Sequence, residues 1–202
     1  MRKIRIIEHM SLDGVIQAPG APDEDGDYAH GGWAMPFSDP AVGEAIEAVY
    51  GQSFDLLIGR RTYDIFGSYW PKRRGPLADS LNGATKFVAT HGARSLDWGP
   101  AEALGADIVA GIRRVKATEG PDLVTWGSST LTPVLVEQDL ADEIVLLVAP
   151  VLLGAGKRFF REGFGARELR LVGIERAGSG VIISRYQPAG PLRTGSYDRP
   201  VD

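Results

Sequence analysis

The chain has 202 residues, 44% hydrophobic and 24% charged, which suits one sizeable folded domain and leaves little room for two. Its formal net charge of −4 argues against a general nucleic-acid or anionic-membrane surface. The absence of cysteine excludes disulfides, thiol nucleophiles and cysteine-ligated metals.

The opening MRKIRIIEHMSLDG reads as a buried strand over 3–10 and not as a leader, because no small-residue cleavage site follows its few apolar residues. No apolar run reaches membrane-spanning length, and the lack of cysteine fits an expected cytoplasmic protein. A loop rich in Gly, Pro and Asp runs over roughly 11–38, and loops of that length usually carry function. Within it, Asp23-Glu24-Asp25-Gly26-Asp27 lacks the closing acid of a calcium loop and reads as a solvated acidic run. The three histidines, His9, His30 and His91, have no ligand spacing, so no metal is expected.

Asp39-Pro40 reads as an N-cap followed by proline at N1, opening a helix over about 40–51. FDLLIG (54–59) is a strand buried on both faces, with a short helix over 60–66 behind it. TKFVAT (85–90) and ADIV (106–109) predict further strands, followed by a helix over about 109–119. DLVTW (122–126) is a buried strand leading into a helix from Ser129 to Leu140, and EIVLLVAPVLLG (143–154) is the strongest strand pattern in the chain. Two alternating strands, 168–177 and 180–188, read as a hairpin around Gly178-Ser179-Gly180. The expected architecture is therefore an α/β domain over 1–188, with a mostly parallel mixed sheet flanked by helices and an antiparallel C-terminal hairpin at its edge. Residues 189–202 are expected to form an irregular tail.

In such a sheet ligands bind beyond the carboxyl ends of the strands. The residues standing there are Met10-Ser11-Leu12-Asp13-Gly14, Gly59-Arg60-Arg61-Thr62, Thr90-His91-Gly92, Gly127-Ser128-Ser129-Thr130, and Leu153-Gly154 with the following Ala155-Gly156-Lys157-Arg158. Two sets open helices, where unpaired N–H groups favour an anion; glycine admits close backbone approach and arginine grips phosphate. Each set also reads, singly, as a turn or a solvated helix start. Spacing leaves both readings open, and neither G-x-G-x-x-G nor a P-loop is present.

Four segments carry a resemblance: MSLDGVI (10–16), LLIGRRTYDIF (56–66), residues 126–160 starting at WGSSTLTPVLV, and LRLVGIERAGSGVIISRY (169–186). In this order the chain resembles the dihydrofolate-reductase-like family that includes the C-terminal reductase domain of the riboflavin-biosynthesis deaminase-reductase, and above all its stand-alone bacterial members. The resemblance implies NADPH as cofactor, hydride transfer to a small heterocyclic or sugar-derived substrate, and a homodimer. It places Arg60, Arg61 and Thr62 at the cofactor phosphates, with an arginine at the 2′-phosphate, Thr90 and His91 near the adenosine ribose, and Gly127, Ser128, Ser129 and Thr130 at the pyrophosphate; Gly59 joins the cofactor rim from its place after the second strand. Leu153 and Gly154 are added to that cofactor rim from their place after the sixth strand. Ser11, Leu12 and Asp13 would border nicotinamide and substrate.

The chain also departs from the family. Trp126 stands where riboflavin-pathway reductases commonly carry an acid, and Val42 and Gly43 stand where folate reductases place their substrate-binding acid. Asp13, Glu44 and His9 are the candidate proton donors or orienters. Against each stands a plain alternative: a turn residue, an exposed helix carboxylate and a core histidine respectively. A bound water is a further proton carrier.

Overall fold

The computed structural model describes residues 1–92 and 94–197. Among these residues eight strands form one sheet: β1 (Ile4–Ser11), β2 (Phe54–Gly59), β3 (Lys86–Ala89), β4 (Ala101–Ala103), β5 (Asp122–Trp126), β6 (Glu143–Ala149), β7 (Arg167–Arg176) and β8 (Ile182–Pro191). Their order is β4-β3-β2-β5-β1-β6-β8-β7. The pairs from β4 through β6 are parallel, and β8 pairs antiparallel with both β6 and β7. This is the mostly parallel dihydrofolate-reductase-like sheet with an antiparallel C-terminal hairpin.

Among the described residues five α-helices cover the faces: α1 (Pro40–Tyr50), α2 (Arg60–Tyr69), α3 (Pro76–Gly83), α4 (Ile108–Ala117) and α5 (Leu131–Glu137). Alternation along the strands splits the core in two. Ile7, Leu56, Ile58, Val124 and Val145 pack on the face of α1, α2 and α3, whereas Ile4, Ile6, Leu57, Leu123 and Ile144 pack on the face of α4 and α5. Asp39 caps α1 through Ala41 N–H at 2.9 Å, with Pro40 in the first turn, as the sequence predicts.

Several elements differ from expectation. Residues 106–109 are not a strand: Asp107 accepts from Ala110 N–H at 2.9 Å and caps α4, and a capped amphipathic turn wins over a four-residue apolar run. The strand beside β3 is the short, largely exposed β4, which has no apolar pattern to announce it. Helix α3 was not foreseen, and α2 runs on to Tyr69. The strongest strand stops at Ala149, before Pro150, which has no N–H to continue a ladder. Strand β8 continues beyond 188 to Pro191, and Arg193 beyond it is held by Glu168 of β7 through Nε at 2.9 Å. Residues 198–202 of the expected tail lie outside the described residues. No helix among the described residues is long and apolar enough to cross a membrane.

One feature of register positions the site. The pairing of β1 with β5 ends at Ile7↔Trp126, whereas its pairing with β6 continues to Ser11↔Ala149. On the other side β2 continues to Gly59 beside Ala89 of β3. Strand β5 is thus recessed between two longer neighbours, and a gap opens at the centre of the carboxyl rim. It is the kind of crevice in which α/β sheets hold ligands.

Candidate functional site

The chain turns out of β5 through Gly127 (φ +74°) and Ser128 (φ +72°), both in the left-handed region. Ser128 is buried, and its hydroxyl accepts from Gly59 N–H at 2.9 Å and donates to Thr62 Oγ1 at 3.1 Å. A Cβ at Gly127 would meet Thr62 Cγ2 at 3.4 Å, so the turn lies against the first residues of α2. Gly59, Thr62, Gly127 and Ser128, all expected at the cofactor, do converge. The two hydroxyls are spent on each other, however, and serve as a staple between the starts of α2 and α5. What the rim offers a ligand is backbone: the first turn of the ten-residue α2 has no side-chain cap. Ser129 is half-buried, and exposed Thr130 is the N-cap of α5 without a side-chain capping bond.

The two arginines diverge. Arg60 holds Asp64 through Nε at 2.9 Å and donates from Nη1 to Arg94 O at 2.9 Å. Arg61 turns to the long loop, where it pairs with Asp25. Thr90 and His91 follow β3 directly, beside the Gly59 end of β2; Thr90 Oγ1 accepts from Gly92 N–H at 3.2 Å, and His91 is exposed.

A pocket of about 190 Å³ lies on the α1 side of the gap, walled by Met35, Phe37, Val42, Ile46, Trp126 and Leu147 among others, with His9 in its lining. That is below the roughly 300–1,000 Å³ of pockets for drug-sized ligands and suits a single flat ring system. Trp126, the residue in place of an acid, packs edge-on to Phe66 at 5.8 Å and Tyr50 at 6.0 Å, and lies tilted to His9 at 6.1 Å. No protein hydrogen bond to the His9 ring occurs among the described residues, and burial pushes its pKa down to about 4. At neutral pH it is an uncharged imidazole whose hydrogen-bonding nitrogens are free for a ligand.

The other two candidates are placed differently. Glu44 is exposed on α1 and does not line the pocket, although its neighbour Gly43 does. Asp13 accepts from the Ser11 hydroxyl at 2.6 Å, Leu153 N–H at 3.1 Å and Gly154 N–H at 2.8 Å, which hold its pKa down to about 2. An ionised carboxylate so engaged is a clamp between the loops after β1 and β6, not a proton donor. The same bonds commit the Leu153 and Gly154 N–H groups that were expected at the cofactor. Asp39, the remaining pocket carboxylate, accepts from Ala41 N–H and from Ser179 N–H at 2.9 Å.

Two acidic side chains were missed in the sequence. Asp25, expected to be solvated, has a side chain only 8% exposed: it pairs with Arg61, with Lys157 at 2.8 Å and with Gln17 Nε2 at 2.6 Å. Burial alone would raise its pKa, but Lys157, Arg61 and Gln17 together hold it below its usual value. Tyr28 Oη donates to Ala155 O at 2.8 Å, so the loop lies as a strap between α2 and the segment after β6. Glu8, an acid inside the apolar run of β1, is 2% exposed and reaches across the gap to accept from Gly127 N–H at 3.2 Å. Its position between Ile7 and His9 was the available signal. No group of three or more His, Asp or Glu suited to a metal occurs among the described residues.

The RibD C-terminal domain family model matches residues 2–183. The chain belongs to that family. This RibD C-terminal domain is 25% identical over 190 residues to the uncharacterized protein YyaP of Bacillus subtilis (strain 168), covering 92% of this chain and 94% of that protein. Among solved structures, it is similar to a putative riboflavin biosynthesis protein from Shewanella sp. PV-4, at TM-score 0.66 and 19% identity over 93% of this chain and 99% of the other. A pyrimidine reductase-like protein from Corynebacterium diphtheriae NCTC matches at TM-score 0.61 and 12% identity, over 93% of this chain and 92% of that one. At such identities the two structures establish the fold that this RibD C-terminal domain shares with them.

Proposed function

We propose that this RibD C-terminal domain is an NADPH-dependent reductase of a small heterocyclic substrate, of the pterin- or folate-like or ribosylaminopyrimidine-like class. The observation that carries the reading is the gap beside β5, which joins a side-chain-uncapped, arginine-bearing helix start to an apolar pocket with an unpartnered histidine. The residues fit the cofactor: the first turn of α2 with Arg60 and Arg61 would hold phosphates, and the Gly127-Ser128 turn would let the backbone approach them. When bound, NADPH supplies a hydride. The protein's own contribution is position and exclusion of water. Trp126, Phe37, Val42 and Ile46 confine a flat ring beside the gap, and His9 hydrogen-bonds the heteroatom of the C=N or C=O bond being reduced. Hydride goes to the carbon and a proton to the heteroatom. With His9 neutral, Asp13 clamped and Glu44 outside the pocket, that proton is drawn from water.

The same commitments favour a second reading, a nucleotide-binding protein of this fold that has lost catalysis. A titration of NADPH against tryptophan fluorescence, followed by an NADPH-absorbance assay over a panel of pterins, folates and flavin precursors, separates the two. Turnover supports the reductase and eliminates the second reading; binding without turnover on any substrate supports the second. No binding at millimolar NADPH sinks both. Arg60→Ala and Arg61→Ala should each weaken NADPH by roughly tenfold or more, as expected for a charge-assisted contact, and leave NADH nearly unchanged.

Homodimer assembly belongs to the same proposal. It is supported by the outer edge strand β7, which leaves Leu171, Val172 and Ile174 in solvent, the last 66% exposed.

A further inference from the structure

Lys86, at the start of β3, is fully buried. Its ammonium reaches no carboxylate among the described residues: Nζ donates to Asn82 O of α3 at 2.7 Å and to Gly99 O at 3.4 Å, and lies 4.2 Å from the centre of the Trp98 ring. Burial pulls its pKa down to about 8, against the support of Asp55 on β2, so the amine is mostly charged at neutral pH. A buried charge without a paired acid is costly, so what it holds matters. It holds Trp98. The indole Nε1–H donates to Asn82 Oδ1 at 2.9 Å, and the Trp98 backbone N–H donates to Tyr63 Oη of α2 at 2.6 Å. A Cβ at Gly67 of α2 would meet Trp98 Cβ at 3.2 Å, so the glycine admits this close approach. Elsewhere a cavity of about 530 Å³ opens between α2 and the segment 94–99, with Arg60 and Asp64 on one wall and Ser95 and Asp97 on the other. Among the described residues, hydrogen bonds join that segment to α2 at two places: Trp98 to Tyr63, and Arg94 O, which accepts from Arg60 Nη1 at 2.9 Å. Arg60 is fixed as a result. Its Nε donates to Asp64 at 2.9 Å, and its Cζ lies 5.7 Å from the centre of the Tyr63 ring. Nη2 has no partner among the described residues, so its N–H groups are left for an anion.

We propose that Lys86 is a positioning residue for the cofactor's phosphate: through Trp98 it seats the segment 94–99, whose Arg94 carbonyl aims Arg60 Nη2 at the 2′-phosphate. The inference rests on the NADPH reading above and goes beyond it by naming what sets the arginine's aim. Lys86 itself touches no ligand. An arginine already held at two of its nitrogens loses less freedom when it grips an anion, and the saving appears as affinity. A lysine that held the segment for stability alone would act on every ligand alike.

The test titrates NADPH and NADH into the wild type, Lys86→Met, Arg60→Ala and the double variant, with thermal melts reporting whether each folds. Methionine keeps an unbranched buried stem and removes the charge and its donors. Lys86→Met should weaken NADPH roughly threefold to tenfold, the worth of one side chain's immobilisation, and leave NADH unchanged. In the Arg60→Ala background the same change should have no further effect on NADPH. Tyr63→Phe keeps the ring but strands the Trp98 N–H; it should repeat this pattern, and it serves in place of Lys86→Met if that variant does not fold. Equal weakening in both backgrounds, equal loss of NADPH and NADH, or folded variants that bind NADPH like the wild type overturn the proposal. If the wild type itself binds no NADPH, the cofactor reading has failed and this inference falls with it.

Discussion

Replacing Ser128 with alanine tests whether the turn after β5 is a structural staple and not a free phosphate ligand. The substitution removes one hydroxyl and leaves Gly59 N–H and Thr62 Oγ1 without their partner, the latter on a residue only 9% exposed. Each stranded buried group costs about 1–3 kcal/mol, so Ser128→Ala should lower stability by about 2–4 kcal/mol. Ser128→Gly loses the same hydroxyl but relieves a side chain at φ +72°, worth about 1 kcal/mol, so it should unfold later than Ser128→Ala despite being the smaller residue. Thr62→Val combined with Ser128→Ala should show a coupling of about 1 kcal/mol, because the second change has less left to break. Urea unfolding followed by tryptophan fluorescence reads the wild type, the three single variants and the double variant, provided the slope m stays constant. A Ser128→Ala variant within about 0.5 kcal/mol of wild type, or one more stable than Ser128→Gly, would refute the staple.

Asp25→Asn removes the negative charge that engages Arg61 and Lys157; isothermal titration should show NADPH binding several-fold tighter, with a steeper loss on adding salt, and unchanged affinity would place those cations outside the phosphate site. His9 titrates near 4 folded and near 6.5 unfolded, so between those values the unfolded chain binds more protons and stability falls as pH drops. The difference in unfolding free energy between wild type and His9→Phe should therefore change across that window by at most about 3 kcal/mol and flatten below it. Ile174→Glu puts a charge on the exposed edge of β7, and light scattering should report a shift from dimer to monomer without loss of the fold.

Much of this protein is legible locally. Apolar runs closed by glycine mark β2 and β5, and Asp39-Pro40 marks the start of α1. Gly59 to Thr62 and Gly127 to Thr130 announce themselves as residues that follow strands, and a parallel sheet sends all such residues to one rim. That much follows from chain periodicity, capping and the handedness of crossovers, which neighbouring residues encode. Local signals fail where the pattern is weak, as in exposed, three-residue β4, or where two local preferences compete, as at Asp107.

What each rim residue is free to do was decided only by tertiary structure. Ser128 meets its partner 69 residues away, and the Asp13 carboxylate meets Gly154 at a separation of 141. No window of sequence shows that these groups are already spent. The gap itself is a difference in length between β5 and its neighbours, so it exists only once the three strands are in register. The sequence by itself determined the sheet, its rim and the residue types on it. The fold decided which hydrogen-bonding groups remain unsatisfied there, because satisfaction depends on the distant partner as well as the residue; the His9 ring and Glu8 Oε1 are among those it left.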